Sequence, residues 1–185
     1  FRRELNRRIQ DDFDDIGEAI SENRQLKAAN RYRIVVAIDN VNFQPAFVSD
    51  PVPTGRQILS AIGLDDRDEI TLCAILPSGD FEDIRLNETF DLRGREVERF
   101  IVFRTDREFK LTLDDRQLKW GKSTIEANAL YALSGIGPEQ AVFLEVRGGN
   151  DRMIEPDELL DLTDTGIEHF ITAKRLVQGY TIIVN

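Results

Sequence analysis

Apolar positions in this chain fall into short runs of two kinds, one alternating and one spaced at three to four residues, separated by Gly, Pro, Asn and Asp. The first kind predicts strands and the second helices. Tyr32 to Ile38 alternates and is rich in Val and Ile, which predicts a strand. Asp39-Asn40 is a turn pair, and Phe43 to Val48 returns as a second strand. The two prolines of Ser49-Asp50-Pro51-Val52-Pro53 exclude that stretch from a helix interior or a central strand. Thr54 is placed to cap a short helix, Gly55 to Ile62, with Gly63 as its left-handed terminator. Ile70 to Leu76, apolar but for Thr71, predicts a third strand, and Pro77 to Asp80 turns the chain into a short fourth, Phe81 to Leu86. A loop with Phe90 and Leu92 leads to a last strand, Arg99 to Arg104.

The same order of elements then recurs. Seventy residues on from Val97, Glu98, Phe100 and Ile101 stand Ile167, Glu168, Phe170 and Ile171, and Gly79 and Ile84 meet Gly149 and Ile154. Slightly longer offsets bring Gly63-Leu64 onto Gly135-Ile136, Ile58 onto Leu130, and Val36, Ile38 and Asp39 onto Leu111, Leu113 and Asp114. Core positions, turn glycines and order are kept together, so the chain contains a duplicated domain. The second unit is expected to hold strands over 108–114 and 117–121, a helix over 124–134, a strand over 141–147, a turn over 148–151, and strands over 152–155 and 167–173. One helix packed on one face of a mixed sheet is the α+β arrangement that buries such a pattern.

This order resembles the β-grasp fold of ubiquitin, and more closely the bacterial tandem ubiquitin-like, or multiubiquitin, family. The residues that carry the resemblance are Tyr32-Arg33-Ile34-Val35-Val36, the stretch from Asp50 through Thr54 to Leu59, and Val97-Glu98-Arg99-Phe100-Ile101. The expected organisation is an N-terminal amphipathic helix in 1–30, a first ubiquitin-like domain in 31–106, a second in 107–175 and an extra strand in 176–185. The resemblance implies a modifier handled by an activating enzyme, a conjugating enzyme and a JAB-type metalloprotease, in bacterial operons devoted to phage defence. It also implies a flexible C-terminal tail ending in glycine. After the last strand this chain offers Gly179 and no Gly-Gly pair, so Gly179 is the candidate processing or conjugation residue, against the plainer reading of a linker glycine.

The N-terminal helix is expected because Phe1, Leu5, Ile9, Phe13, Ile16 and Ile20 recur at three- and four-residue spacings, within a sector of about 120° of one helix face. That face either packs on its own first domain or docks on a neighbouring molecule. At the other end, Gly179-Tyr180-Thr181-Ile182-Ile183-Val184 repeats the opening of the first unit, so Tyr180 to Val184 look like the first strand of a third. Such a strand invites another sheet edge. It either folds back on the second domain or is donated to a neighbour, and donation would build a head-to-tail homo-oligomer.

Charge and composition narrow the function. A net charge of −10 argues against nucleic acid as a partner. No apolar run approaches the roughly 18 residues of a membrane span, and the acidic residues after Arg8 oppose binding to anionic headgroups. The single cysteine, Cys73, excludes an intrachain disulfide and predicts a cytoplasmic protein. Cys73 and the single histidine, His169, both fall in predicted strands and supply no nucleophile, base and orienting group, so neither catalysis nor a cofactor is expected. Asp161-Leu162-Thr163-Asp164-Thr165-Gly166 lacks the acidic twelfth position of a calcium loop and reads as a polar loop. Gly135-Ile136-Gly137 follows a helix instead of preceding one, so it reads as a terminator and not a phosphate loop. Trp120 is expected to cover the second core or to meet a partner. Two functions remain: a conjugated modifier or its precursor, and a non-conjugated scaffold that self-assembles or bridges partners.

Overall fold

The computed structural model describes residues 12–67, 69–164 and 167–175. β2 (Arg31–Ile38) and β3 (Gln44–Val48) form the first hairpin, with Ile34 opposite Ala46 and Val36 opposite Gln44. Asp39 takes a left-handed φ of 57° at the end of β2 and its backbone N–H donates to Val102. β6 (Arg99–Phe103) then runs parallel along β2, pairing Val35 with Arg99 and Ile38 with Val102. β4 (Thr71–Ile75) and β5 (Phe81–Asp83) complete the sheet on the far side of β6. Parallel pairing of the first and last strands of a unit, with one helix crossing between the hairpins, is the β-grasp arrangement.

The helix of this unit, α2 (Gly55–Ala61), starts where the sequence places its cap. Thr54 accepts from the N–H of Gln57 while the Gln57 side chain accepts from the N–H of Thr54, a reciprocal capping box. Its buried face carries Ile58 and Leu59 against Ile34, Val36, Leu72, Phe100 and Val102 of the sheet.

The second unit repeats the design. β7 (Phe109–Leu113) and β8 (Arg116–Trp120) are its hairpin, β10 (Gln140–Leu144) and β11 (Arg152–Ile154) its second, and β13 (Glu168–Lys174) runs parallel to β7. Phe100 and Phe170, matched at the offset of seventy, are 0% and 1% exposed. The helix α3 (Ala127–Ser134) ends on Gly135 in the left-handed region, φ 67°, as a terminator glycine requires. It does not begin at 124. Thr124–Glu126 instead form β9, paired antiparallel with β12 (Leu159–Asp161), a strand in what the sequence reads as loop. The first unit holds the same contact in reduced form, a single bridge between Thr54 and Thr89.

The N-terminal segment corrects the expectation of one amphipathic helix over 1–30. Phe13–Asp15 are a strand, β1, and the helix α1 covers Ile16–Ser21 alone. β1 runs parallel to the start of β2, with Phe13 opposite Arg31, and occupies the edge of β2 that β6 leaves free. Asp15 caps α1 by accepting from the N–H of Glu18 at 3.1 Å, so the helix cannot extend back through it. Asn23, at φ 51°, follows its end. Phe13 therefore does not share a helix face with Ile16 and Ile20. Phe1, Leu5 and Ile9 lie outside the described residues.

Candidate interaction surfaces

Each strand of the first unit has two faces. The inner one, with Leu72, Ala74, Phe100 and Val102, meets α2. The outer one, with Ala37, Cys73, Ile75, Ile101 and Phe103, is buried as well, and its cluster continues into Leu118, Trp120, Leu130 and Leu133 of the second unit. The second unit thus seals the end of the outer face that carries these residues. Trp120 packs on Phe103, while its Nε1 donates to the carbonyl of Thr124 at 3.0 Å. Gly121 follows at a point where a Cβ would fall 2.4 Å from the Cβ of Phe103, so no larger residue fits there without displacement. At the rim, the N–H of Gln117 donates to Asp80 at 2.9 Å and Lys119 pairs with Asp83. The edge strand β8 thereby has a backbone donor satisfied by the neighbouring unit, which protects it from foreign strands.

Cys73 sits inside this interface at 0% exposure, and its Sγ donates to Asp83 at 3.3 Å. Burial, and then the facing carboxylate, push its pKa far up, so the thiol is inert while the units are joined. His169 lies in the other unit, on β13, with Nδ1 2.8 Å from the Thr112 hydroxyl. The two residues have separate partners and form no common site. Among the described residues no group of three or more His, Cys, Asp or Glu is arranged to hold a metal ion. Asp161 is engaged by the N–H and hydroxyl of Thr163 at 2.8 and 2.6 Å, a local turn. Among the described residues no helix is long and apolar enough to cross a membrane.

The candidate partner residues divide three ways. Ile16 is 1% exposed within the first core and Ile20 packs against that core, so Ile16 is not open to a partner. Beside them α1 and the loop of Leu92, Arg93 and Gly94 border a cleft of about 630 Å³. Phe13 stands on the outer sheet face, edge-on to Phe47 at 5.2 Å. Gly179 and the run Tyr180, Thr181, Ile182, Ile183 and Val184 lie outside the described residues. Sequence reasoning missed Phe47, which is 37% exposed beside Arg31, because a phenylalanine in an alternating strand reads as core.

Two mixed sheets, each with parallel first and last strands and one crossing helix, define a tandem ubiquitin-like β-grasp protein of the α+β class. The model of the family described as multiubiquitin matches residues 40–105 and again 109–175, and the chain belongs to that family. No curated protein matches it.

Proposed function

We propose that the chain is a ubiquitin-like protein modifier, or the precursor of one, that acts by being bound and transferred and not by catalysing a reaction. On this reading its handlers are an activating enzyme, a conjugating enzyme and a JAB-type metalloprotease, in the cytoplasm of a bacterium and in the service of phage defence. The observation that supports it is the repeated β-grasp unit, matched in both copies by the multiubiquitin family. Gly179 is the residue through which cleavage or conjugation would run. The test is intact mass of the chain after incubation with ATP, magnesium and its cognate activating enzyme, with and without the cognate protease. A thioester-linked or amide-linked adduct, abolished by Gly179→Pro, supports the reading. An unchanged mass in every mixture sinks it.

A second reading is favoured by a different observation, the burial of the first unit's outer face by the second unit. A contact between unlike surfaces of like domains can be repeated from molecule to molecule. The chain would then be a scaffold that self-assembles head to tail or bridges partners, with Tyr180 to Val184 as an additional strand to donate. Light scattering of the full chain against a variant lacking 176–185 separates strand donation from an assembly built on the β-grasp units.

A further inference from the structure

The outer face of the first sheet is divided. Ala37 and Ile101, register partners at one end, are sealed by the second unit. At the other end the same face carries Phe47 and Pro45 from β3 and Arg31 from β2, all exposed, with Phe43 and Arg99 half-buried beside them. The Arg31 guanidinium lies 4.9 Å over the Phe47 ring, and that of Arg99 lies 5.7 Å over Phe43. Among the described residues neither arginine is in an ion pair, in contrast to Arg24, Arg33, Arg93 and Arg104, each held by a carboxylate. Arginine stacked on exposed aromatic rings is the composition of a binding hot spot, since the ring fixes the guanidinium without neutralising it.

A surface of the opposite chemistry stands on the second unit. Leu159 on β12 is 66% exposed, and the exposed carboxylates of Asp157 and Asp161 stand two residues to either side of it. Its register partner on β9 is Glu126, also exposed. Neither Asp157 nor Asp161 is in an ion pair among the described residues. Arg31 and Val35, whose register partner is Arg99, are four strand residues apart, about 13 Å, with Arg33, the register partner of Phe47, midway between them.

We propose that the Arg31–Phe47–Arg99 stripe of one copy takes the Asp157–Leu159–Asp161 ridge of a second copy of this chain, with Leu159 against the phenyl rings and the aspartates on the guanidiniums. The contact joins the first unit of one molecule to the second unit of the next. It is heterologous and propagates unless its rotation closes a ring. It rests on the scaffold reading and specifies its interface.

The test uses the full chain, light scattering across a concentration series, and a charge swap. Arg31→Glu/Arg99→Glu leaves a molecule acidic at both surfaces, and Asp157→Arg/Asp161→Arg leaves one basic at both. Each alone is expected to self-associate at least about tenfold more weakly than the natural chain, since like charges then face each other. An equimolar mixture of the two is expected to regain association, because every stripe then meets a ridge of opposite charge. A milder pair, Arg31→Gln/Arg99→Gln, covers the case in which a reversed variant fails to fold, and is expected to weaken association with an unchanged melt. Three outcomes overturn the proposal: a natural chain that stays monomeric at tens of micromolar, charge-reversed variants that assemble as before, or a mixture no more associated than its parts. The second would leave a scaffold built on other surfaces standing, and conjugation of Gly179 is read separately by mass. A stripe that binds a foreign acidic segment instead would appear as the first outcome.

Discussion

The indole of Trp120 meets the ring of Phe103 edge-on, with centroids 4.9 Å apart and planes inclined by 66°. One ring ends the last strand of the first unit and the other ends the second strand of the next. The pair therefore ties two cores that the repeat alone would make independent. Trp120 is 3% exposed, and removing a buried aromatic of this size costs about 3–5 kcal/mol. Trp120→Ala should lower stability by that amount and split a single calorimetric transition into two, as the units begin to melt separately. Gly121→Ala should act in the same direction without removing either ring, since its Cβ would press on the Phe103 side chain. One undivided, unshifted transition in both variants would show that the interface contributes little.

Cys73 offers an independent reading of the same contact. Its thiol is shielded by the second unit and its ionisation is opposed by burial and by Asp83. Reaction with a disulfide reagent requires the thiolate and access to it, so labelling should proceed through opening of the interface. The natural chain is expected to label at least about a thousandfold more slowly than the denatured one at the same pH. Lys119→Ala removes the cation paired with Asp83 and should speed labelling while far-UV dichroism is unchanged. Labelling of the native chain at the denatured rate would place Cys73 outside a closed interface.

The duplication makes a paired prediction. Phe100→Ala and Phe170→Ala delete equivalent side chains from the two cores and should each cost about 3–5 kcal/mol in denaturant unfolding. A loss below about 1 kcal/mol for either would remove it from its core, against the near-zero exposure of both.

These cores were legible in the sequence because strand period, turn glycines and capping threonine all point the same way, and the duplication states each position twice. The outer face was legible in part. Leu72 to Leu76 is apolar at every position, and a strand apolar on both faces is one buried on both. That signal marks the covering of Cys73 and Ile75, though not what covers them. β1 is hidden because Phe13 falls by coincidence at helical spacing from Ile16 and Ile20, which do lie on α1, and periodicity does not register that the helix starts after Asp15. β9 and β12 are short strands whose pairing arises from tertiary contact, which local pattern does not report. The stripe of Arg31 and Phe47 was hidden for a related reason: which half of a sheet face stays open depends on where the neighbouring unit ends.

Asp14 supplies the pH dependence. It lies on β1, 3% exposed, accepts from Arg24 at 2.8 and 3.0 Å, and accepts from the N–H of Lys27 at 2.7 Å. Burial acts to raise its pKa, but the Arg24 guanidinium and the Lys27 N–H together outweigh it and hold the carboxyl below its ordinary value. The folded state thus binds this proton more weakly than the unfolded chain does. Its contribution to stability is complete above the ordinary carboxylate range and is lost as pH falls through the folded value. Asp14→Ala leaves Arg24 to Glu18 and Glu22 and leaves the Lys27 N–H without its acceptor, a loss of about 1–3 kcal/mol at neutral pH. The deficit relative to the natural chain should hold from pH 7 to about 5 and shrink steadily below about pH 4, measured by urea unfolding at each pH. Because this pair ties β1 to the turn that follows α1, the variant should also lose amide protection in residues 13–21 before the rest of the first unit. A deficit that stays constant down to pH 3 would show that the side chain stabilises by shape and not by charge.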